Sequence, residues 1–160
     1  MKVIAYSRPD GGVSICTPAP QRIAELMADG MTEAAAIAVI QAKDVPADAS
    51  NIEVMDGTLI PSTRQFRDAW TKPAVGAPVV DMPKARIMHM DRIRQARNQK
   101  LTGLDIDYQI ADDNDNAPKK AAVTQERREL RDLPANTDLD QFSTPETLDA
   151  FWPTELPARA

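Results

Sequence analysis

The chain is poor in the groups on which most catalytic and secreted proteins depend. A single cysteine, Cys16, excludes a disulfide framework and leaves no cysteine cluster for zinc, which fits a reducing compartment. Lying in an alternating segment, Cys16 reads as a small buried hydrophobe. Aromatic residues make up only 4 % of the chain, and its 42 % of hydrophobic residues lean on alanine. Large core-forming side chains are therefore scarce. No window approaches the ~20 consecutive apolar residues of a membrane helix, and Met1–Tyr6 lacks the apolar stretch and cleavage site of a signal peptide. The protein is expected to stay in the cell that makes it, or to leave only inside an assembled particle. A net charge of -5 makes the whole chain a poor ligand for nucleic acid, whose binding needs a basic surface to neutralise phosphates.

What is present reads as small packed units joined by extended chain. The 160 residues suffice for one ordinary domain or two small ones, and 13 prolines argue against a single compact body. Residues 2–6 and 13–17 flank Arg8-Pro9-Asp10-Gly11-Gly12, a turn cluster that predicts a β-hairpin. Thr17 and Pro18 predict the start of a short helix, in which Ile23, Leu26 and Met27 share a face and Gly30 supplies the stop. Thr32 caps a second, alanine-rich helix that runs to Lys43. Residues 51–55 and 58–60, on either side of Asp56-Gly57, predict a second hairpin. Ser62 and Thr63 precede an amphipathic turn that sets Phe66 and Trp70 on one side, to lock it to the domain. The fold class is α+β: a small domain over residues 1–70 made of two hairpins and short helices, then an extended linker over 71–82 carrying Pro73, Gly76 and Pro78.

The remainder, residues 83–160, predicts an antiparallel helical hairpin with a C-terminal aromatic tail. Ala85, His89, Ile93 and Ala96 form a stripe along a helix from Pro83 to Leu101. That helix carries Lys84, Arg86, Arg92, Arg94, Arg97 and Lys100 against a single Asp91, whereas residues 105–116 hold five aspartates and read as an acidic loop. Opposite charge blocks favour folding back, or pairing between copies in a homo-oligomer. Helical character resumes from Lys119 to Leu133 and stops at Pro134; a short helix follows over residues 146–151.

Each chemical motif lacks a required part. A calcium loop begun at Asp112 would need Gly where Ala117 stands and a bidentate Glu where Val123 stands. Catalysis by His89 would want a neighbouring nucleophile and an orienting acid, and Asp91, two positions along a helix, points elsewhere. Neither Asp10-Gly11-Gly12 nor Asp56-Gly57 has the glycine spacing and lysine of a phosphate cradle. The basic helix lacks the interleaved aromatics that bind single strands. The sequence thus assigns no catalytic residue, no cofactor and no metal.

One resemblance remains. Asp91-Arg92-Ile93-Arg94-Gln95-Ala96-Arg97-Asn98-Gln99-Lys100-Leu101, the Asp105-x-Asp107-Tyr108 segment, Gln125-Glu126-Arg127-Arg128-Glu129-Leu130-Arg131-Asp132-Leu133-Pro134 and the closing Phe151-Trp152-Pro153 occur in that order. The series resembles the C-terminal module of phage tail assembly chaperones and tail-fibre assembly proteins, in which an Arg- and Asn-rich helix leads through an aspartate-containing turn to an Arg-Asp-Leu-Pro helix end and a Trp-Pro. It spans residues 83–153, and Tyr108 stands where the family often carries a tryptophan. The resemblance implies a non-enzymatic protein of the phage tail region that docks onto tail or tail-fibre subunits. It would work in the host cytoplasm during assembly or remain in the virion tail. Partner contacts are expected at Arg94, Arg97, Tyr108, Phe151 and Trp152, the last two as buried aromatic anchors, or else packed on the hairpin as part of its own core. The alternative is a small phage protein that binds a host factor or nucleic acid.

Overall fold

A computed structural model describes residues 1–159, and the chain divides into two compact units, Met1–Asp81 and Met82–Ala160. The architecture is α+β: an antiparallel sheet with short helices in the first unit and long helices in the second.

In the first unit β1 (Lys2–Ser7) and β2 (Val13–Cys16) form the expected hairpin, with Ile4 opposite Cys16. Gly11 at φ +80° makes the reversal, and the Gly12 N–H donates to the Asp10 carboxylate at 2.8 Å. Helix α1 (Pro20–Ala28) starts two residues later than Thr17 and Pro18 predict. Ala19 precedes Pro20, which pushes it into the extended region and delays the first turn. Helix α2 (Glu33–Asp44) begins at Thr32 as expected, the Thr32 hydroxyl accepting from the Ala35 N–H at 3.2 Å.

The hairpin expected at Asp56-Gly57 does not form. Strand β3 (Ser50–Asp56) pairs instead with β1, antiparallel, to give the sheet order β2-β1-β3 with Ile4 opposite Val54. A two-residue hairpin of the Asp-Gly kind needs positive φ, which Gly57 does not adopt. The Asp56 carboxylate instead caps a single 3-10 turn, accepting from the Thr58 N–H at 3.0 Å, and the Gly57 N–H donates to the Met1 carbonyl at 2.9 Å.

Both faces of this sheet are covered. Ile4 meets Ile37, Ile40 and Val45 on the helical side, with Tyr6, Cys16 and Ile23 around them. Burial, and then the nearby Asp44 carboxylate, raise the Cys16 thiol above its ordinary range. On the opposite side Val3, Ala5 and Met55 meet Ile15, Ile60 and Ala77. Phe66 and Trp70 are fully buried, and the Arg64 guanidinium lies 5.5 Å from the Trp70 ring centre.

The stretch read as an extended linker belongs to this unit. Strands β4 (Trp70–Thr71) and β5 (Val79–Val80) pair, and the turn between them is clipped to β3. The Lys72 ammonium, its side chain wholly buried, donates to Glu53 Oε2 at 3.0 Å and to the Gly76 carbonyl at 2.9 Å; Gly76 N–H reaches the same carboxylate at 2.8 Å. Gly76 needs its left-handed φ of +109° to turn that N–H inward. Composition suggested a spacer because its prolines and glycine are the same residues that build a tight loop.

The second unit is helical. Helix α3 (Met82–Asp113) continues through the segment expected to be an acidic loop and spans about 48 Å at the usual rise per residue. Its buried positions Ala85, His89 and Ile93 are continued at helical spacing by Leu104 and Ala111. The aspartates there do not break the helix because cations of α4 (Ala117–Asn136) face them: Arg127 reaches Asp105 at 2.7 Å and Lys120 pairs with Asp112. Helix α3 closes at Asp115, φ +49°, with Asn116 N–H bonded to the Ala111 carbonyl and Asp115 N–H to that of Asp112, a Schellman ending. Asn116 then caps α4 through the Lys119 N–H. Pro134, expected to stop α4, lies inside its last turn.

Candidate docking surface

The C-terminal segment is held against the first half of α3. Helix α5 (Pro145–Ala150) begins in a reciprocal cap between Thr144 and Thr147 and buries Leu148 completely. At its end His89 Nε2–H donates to the Phe151 carbonyl at 3.0 Å. The His89 ring is fully buried, 6.0 Å from Trp152 in an edge-on arrangement and 6.4 Å from Phe151. Burial lowers its pKa below the ordinary value, the bond to Phe151 opposing this in part. A ring so enclosed serves as a packing and hydrogen-bonding element.

Phe151 and Trp152 are thereby engaged within the module. Phe151 stacks obliquely on Phe142 at 4.9 Å, and the Trp152 indole N–H donates to the Pro157 carbonyl at 2.8 Å. Arg159 covers the Trp152 ring at 5.3 Å and is fixed by Asp149 at 2.9 Å. Lys100 ties the tail down further on, donating to the Glu155 carbonyl and pairing with Glu126, both at 2.7 Å. Both rings are half-buried, so each keeps one edge at the surface.

Tyr108, on α3, turns its ring to α4, with the Lys120 ammonium and the Arg127 guanidinium each 5.2 Å from its ring centre. Two cations on one ring make it a strut of the hairpin, half-buried like the aromatics of the tail. Arg97 folds along its own helix onto the Asn98 side chain at 2.9 Å. Arg94 is exposed and pairs with Asp91 at 2.9 Å, one turn back.

Of the five residues expected to meet a partner, Arg94 stands in the most suitable surroundings. It borders an open cleft of about 270 Å³ formed by the first half of α3 and the residues after α4. Ile87, 63 % exposed, Met90 and Leu139 supply its apolar surface, and Arg86, Asp138 and Asp140 its polar rim. Arg86 clamps the far side, donating to the Phe142 carbonyl at 2.8 Å with its guanidinium 3.5 Å from Asp140. A second hollow of about 460 Å³, between α4 and the tail, is rimmed by Glu126, Glu129 and Glu155. The structure does not bring Arg94, Arg97, Tyr108, Phe151 and Trp152 into one site: they lie along the length of the hairpin, each with its own local partners.

Sequence reasoning missed Ile87 and the segment 137–140. The available signal was a large aliphatic residue two positions after Ala85 on a charged helix, off the Ala85–His89–Ile93 stripe and so destined for the surface. Among the described residues no group of three or more His, Cys, Asp or Glu side chains is placed to hold a metal ion, and no helix is long and apolar enough to cross a membrane. Comparison with protein-family models, with curated proteins and with solved structures finds no match.

Proposed function

We propose that this chain is a non-enzymatic bacteriophage tail-associated protein that docks onto tail or tail-fibre subunits, either as a structural adaptor of the virion or as a tail assembly chaperone. The observation that carries the reading is the self-locked helical module, whose order of parts is the one that resembles tail assembly proteins. The α3–α4 hairpin is buttressed by its own aromatic tail, leaving Ile87 and Arg94 exposed beside Met90 and Leu139. An exposed aliphatic flanked by guanidinium and carboxylate groups has the composition of a protein contact, an apolar centre with a polar rim. Phe151 and Trp152 serve this role indirectly, by fixing α5 and the tail against α3, and contribute their exposed edges.

The test is quantitative mass spectrometry of purified particles, paired with electron microscopy of particles made without the gene. The adaptor form is expected at a fixed ratio to tail subunits. The chaperone form is expected to be absent from virions while its deletion yields tail-less or fibre-less particles. Absence from virions together with intact tails and fibres in the deletion would refute the proposal.

A further inference from the structure

The C-terminal tail lies on α3 in the manner of a bound peptide. Three side chains of α3 donate to its backbone carbonyls: Arg86 to Phe142 at 2.8 Å, His89 to Phe151 at 3.0 Å and Lys100 to Glu155 at 2.7 Å. Leu139, Leu148, Pro153 and Leu156 are its buried apolar groups. Outside the six residues of α5 the segment forms neither helix nor strand, and it closes over the fully buried His89 through Phe151 and Trp152. Leu139 belongs with it, since it borders the same cleft as Ile87 and Met90 of α3.

The join between α4 and this segment is the part that its own residues favour least. Pro134 stands inside the last turn of α4, where it has no N–H to give to the Leu130 carbonyl and its ring crowds that oxygen. The next residues are held by short-range bonds: the Thr137 hydroxyl donates to the Leu133 carbonyl at 2.7 Å, and the Asp138 carboxylate accepts from the Asp140 N–H at 2.8 Å. A helix that ended at Leu133 would free residues 134–138 as a hinge. Five extended residues reach about 17 Å, more than the ~10 Å width of a helix.

We infer that residues 139–159 exchange between two copies of this chain, each copy's C-terminal tail seated on α3 of the other in a reciprocal dimer. The occupant follows from the structure itself, because the face of α3 already holds this sequence. A second copy's tail offers the same carbonyls to Arg86, His89 and Lys100 and the same Leu148 and Leu156 to bury, so every contact on α3 is kept and only the hinge differs. Straightening the hinge also takes Pro134 out of the helix, and a short strained hinge of this kind favours exchange. Neither face is complete without a tail, so in the dimer each copy finishes the site of the other.

The experiment mixes isotopically light and heavy full chains, refolds them together over a concentration series and separates the products by size. A species of twice the 17.6 kDa chain mass is expected beside the monomer. Carbodiimide coupling followed by mass spectrometry then reads which chain supplies each carboxylate to Lys100. In the dimer the Lys100–Glu155 product is expected to join light and heavy chains, whereas the Lys100–Glu126 product, from a pair 2.7 Å apart between α3 and α4, stays within one chain and is the control. Pro134→Ala is expected to raise the dimer dissociation constant at least about tenfold while raising the melting temperature, a combination that mere loss of stability would not give. A chain that stays monomeric throughout overturns the inference. So does a dimer whose Lys100–Glu155 products remain within one chain, or one whose dissociation constant is unmoved by Pro134→Ala.

Discussion

Replacing Phe151 by alanine tests whether the C-terminal tail stabilises the helical hairpin. The ring is half-buried, stacked on Phe142 at 4.9 Å, and its residue's carbonyl takes the bond from His89. Truncating a fully buried phenylalanine costs about 3–5 kcal/mol, so half-burial leaves about 2 kcal/mol. Losing the ring pair adds roughly 0.5–1.5 kcal/mol. The His89–Phe151 bond uses the backbone carbonyl and survives the substitution. The total of about 2.5–3.5 kcal/mol corresponds to a roughly 60- to 300-fold rise in the exchange of amides that open only with the unit. Hydrogen exchange read by mass spectrometry is the assay. Peptides from residues 85–93 and 123–133 should exchange faster by that factor, with peptides from β1 and α2 as the internal reference. Unchanged exchange across α3 and α4 in Phe151→Ala would refute the reasoning, since the tail would then lie on the hairpin without stabilising it.

Other outcomes follow from the same contacts. Thr144→Ala removes the acceptor for the Thr147 N–H and should cost about 1 kcal/mol, or roughly 4–8 °C in the melting temperature of a unit this size, whereas Thr144→Asp keeps the acceptor and should melt near wild type. Glu53 is held below its ordinary value of 4.5 by the Gly76 N–H and then by Lys72. A depressed carboxylate contributes stability above its unfolded pKa and loses it as pH falls through the folded one. Acid titration of the sheet's stability should therefore be flatter below about 4.5 in Glu53→Gln. His89, lowered below 6.5 chiefly by burial, binds its proton more readily when unfolded, so the helical unit should lose stability as pH falls from 6.5, and His89→Gln should flatten that slope. Ile87→Asp should weaken capture of the proposed tail or tail-fibre partner at least about tenfold with little change in melting temperature, because Ile87 is 63 % exposed; unchanged capture would remove the cleft from the interface.

Much of the fold was legible from short-range signals. Thr32 announced its helix because a hydroxyl at the cap satisfies a specific N–H. Arg8–Gly12 announced its hairpin because Gly11 takes positive φ. What failed were signals that depend on a distant partner. Asp56-Gly57 has the composition of a tight hairpin, but β1 offered β3 a longer ladder. Residues 105–113 looked like a loop because their aspartates were counted without Arg127 and Lys120, which neutralise them from the next helix. Pro73, Gly76 and Pro78 looked like a spacer because nothing in their neighbourhood reveals the Glu53 carboxylate that captures Lys72 and Gly76.

The candidate surface was legible in part for the same reason. Arg94 could be placed on an exposed face by periodicity alone, whereas its neighbours Leu139 and Asp140 come from beyond α4 and meet it only in the folded unit. Phe151 and Trp152 were recognisable as anchors, but whether an aromatic anchors to a partner or to its own module depends on what it faces. Here it faces His89, Phe142 and Pro157.

The most direct measurement of the central claim is electron microscopy of particles assembled after deletion of the gene, scored for tails and fibres. The account expects particles that lack tails or tail fibres, restored by the wild-type chain in trans. Complete, infectious particles at wild-type yield, together with absence of the chain from wild-type virions, would contradict it.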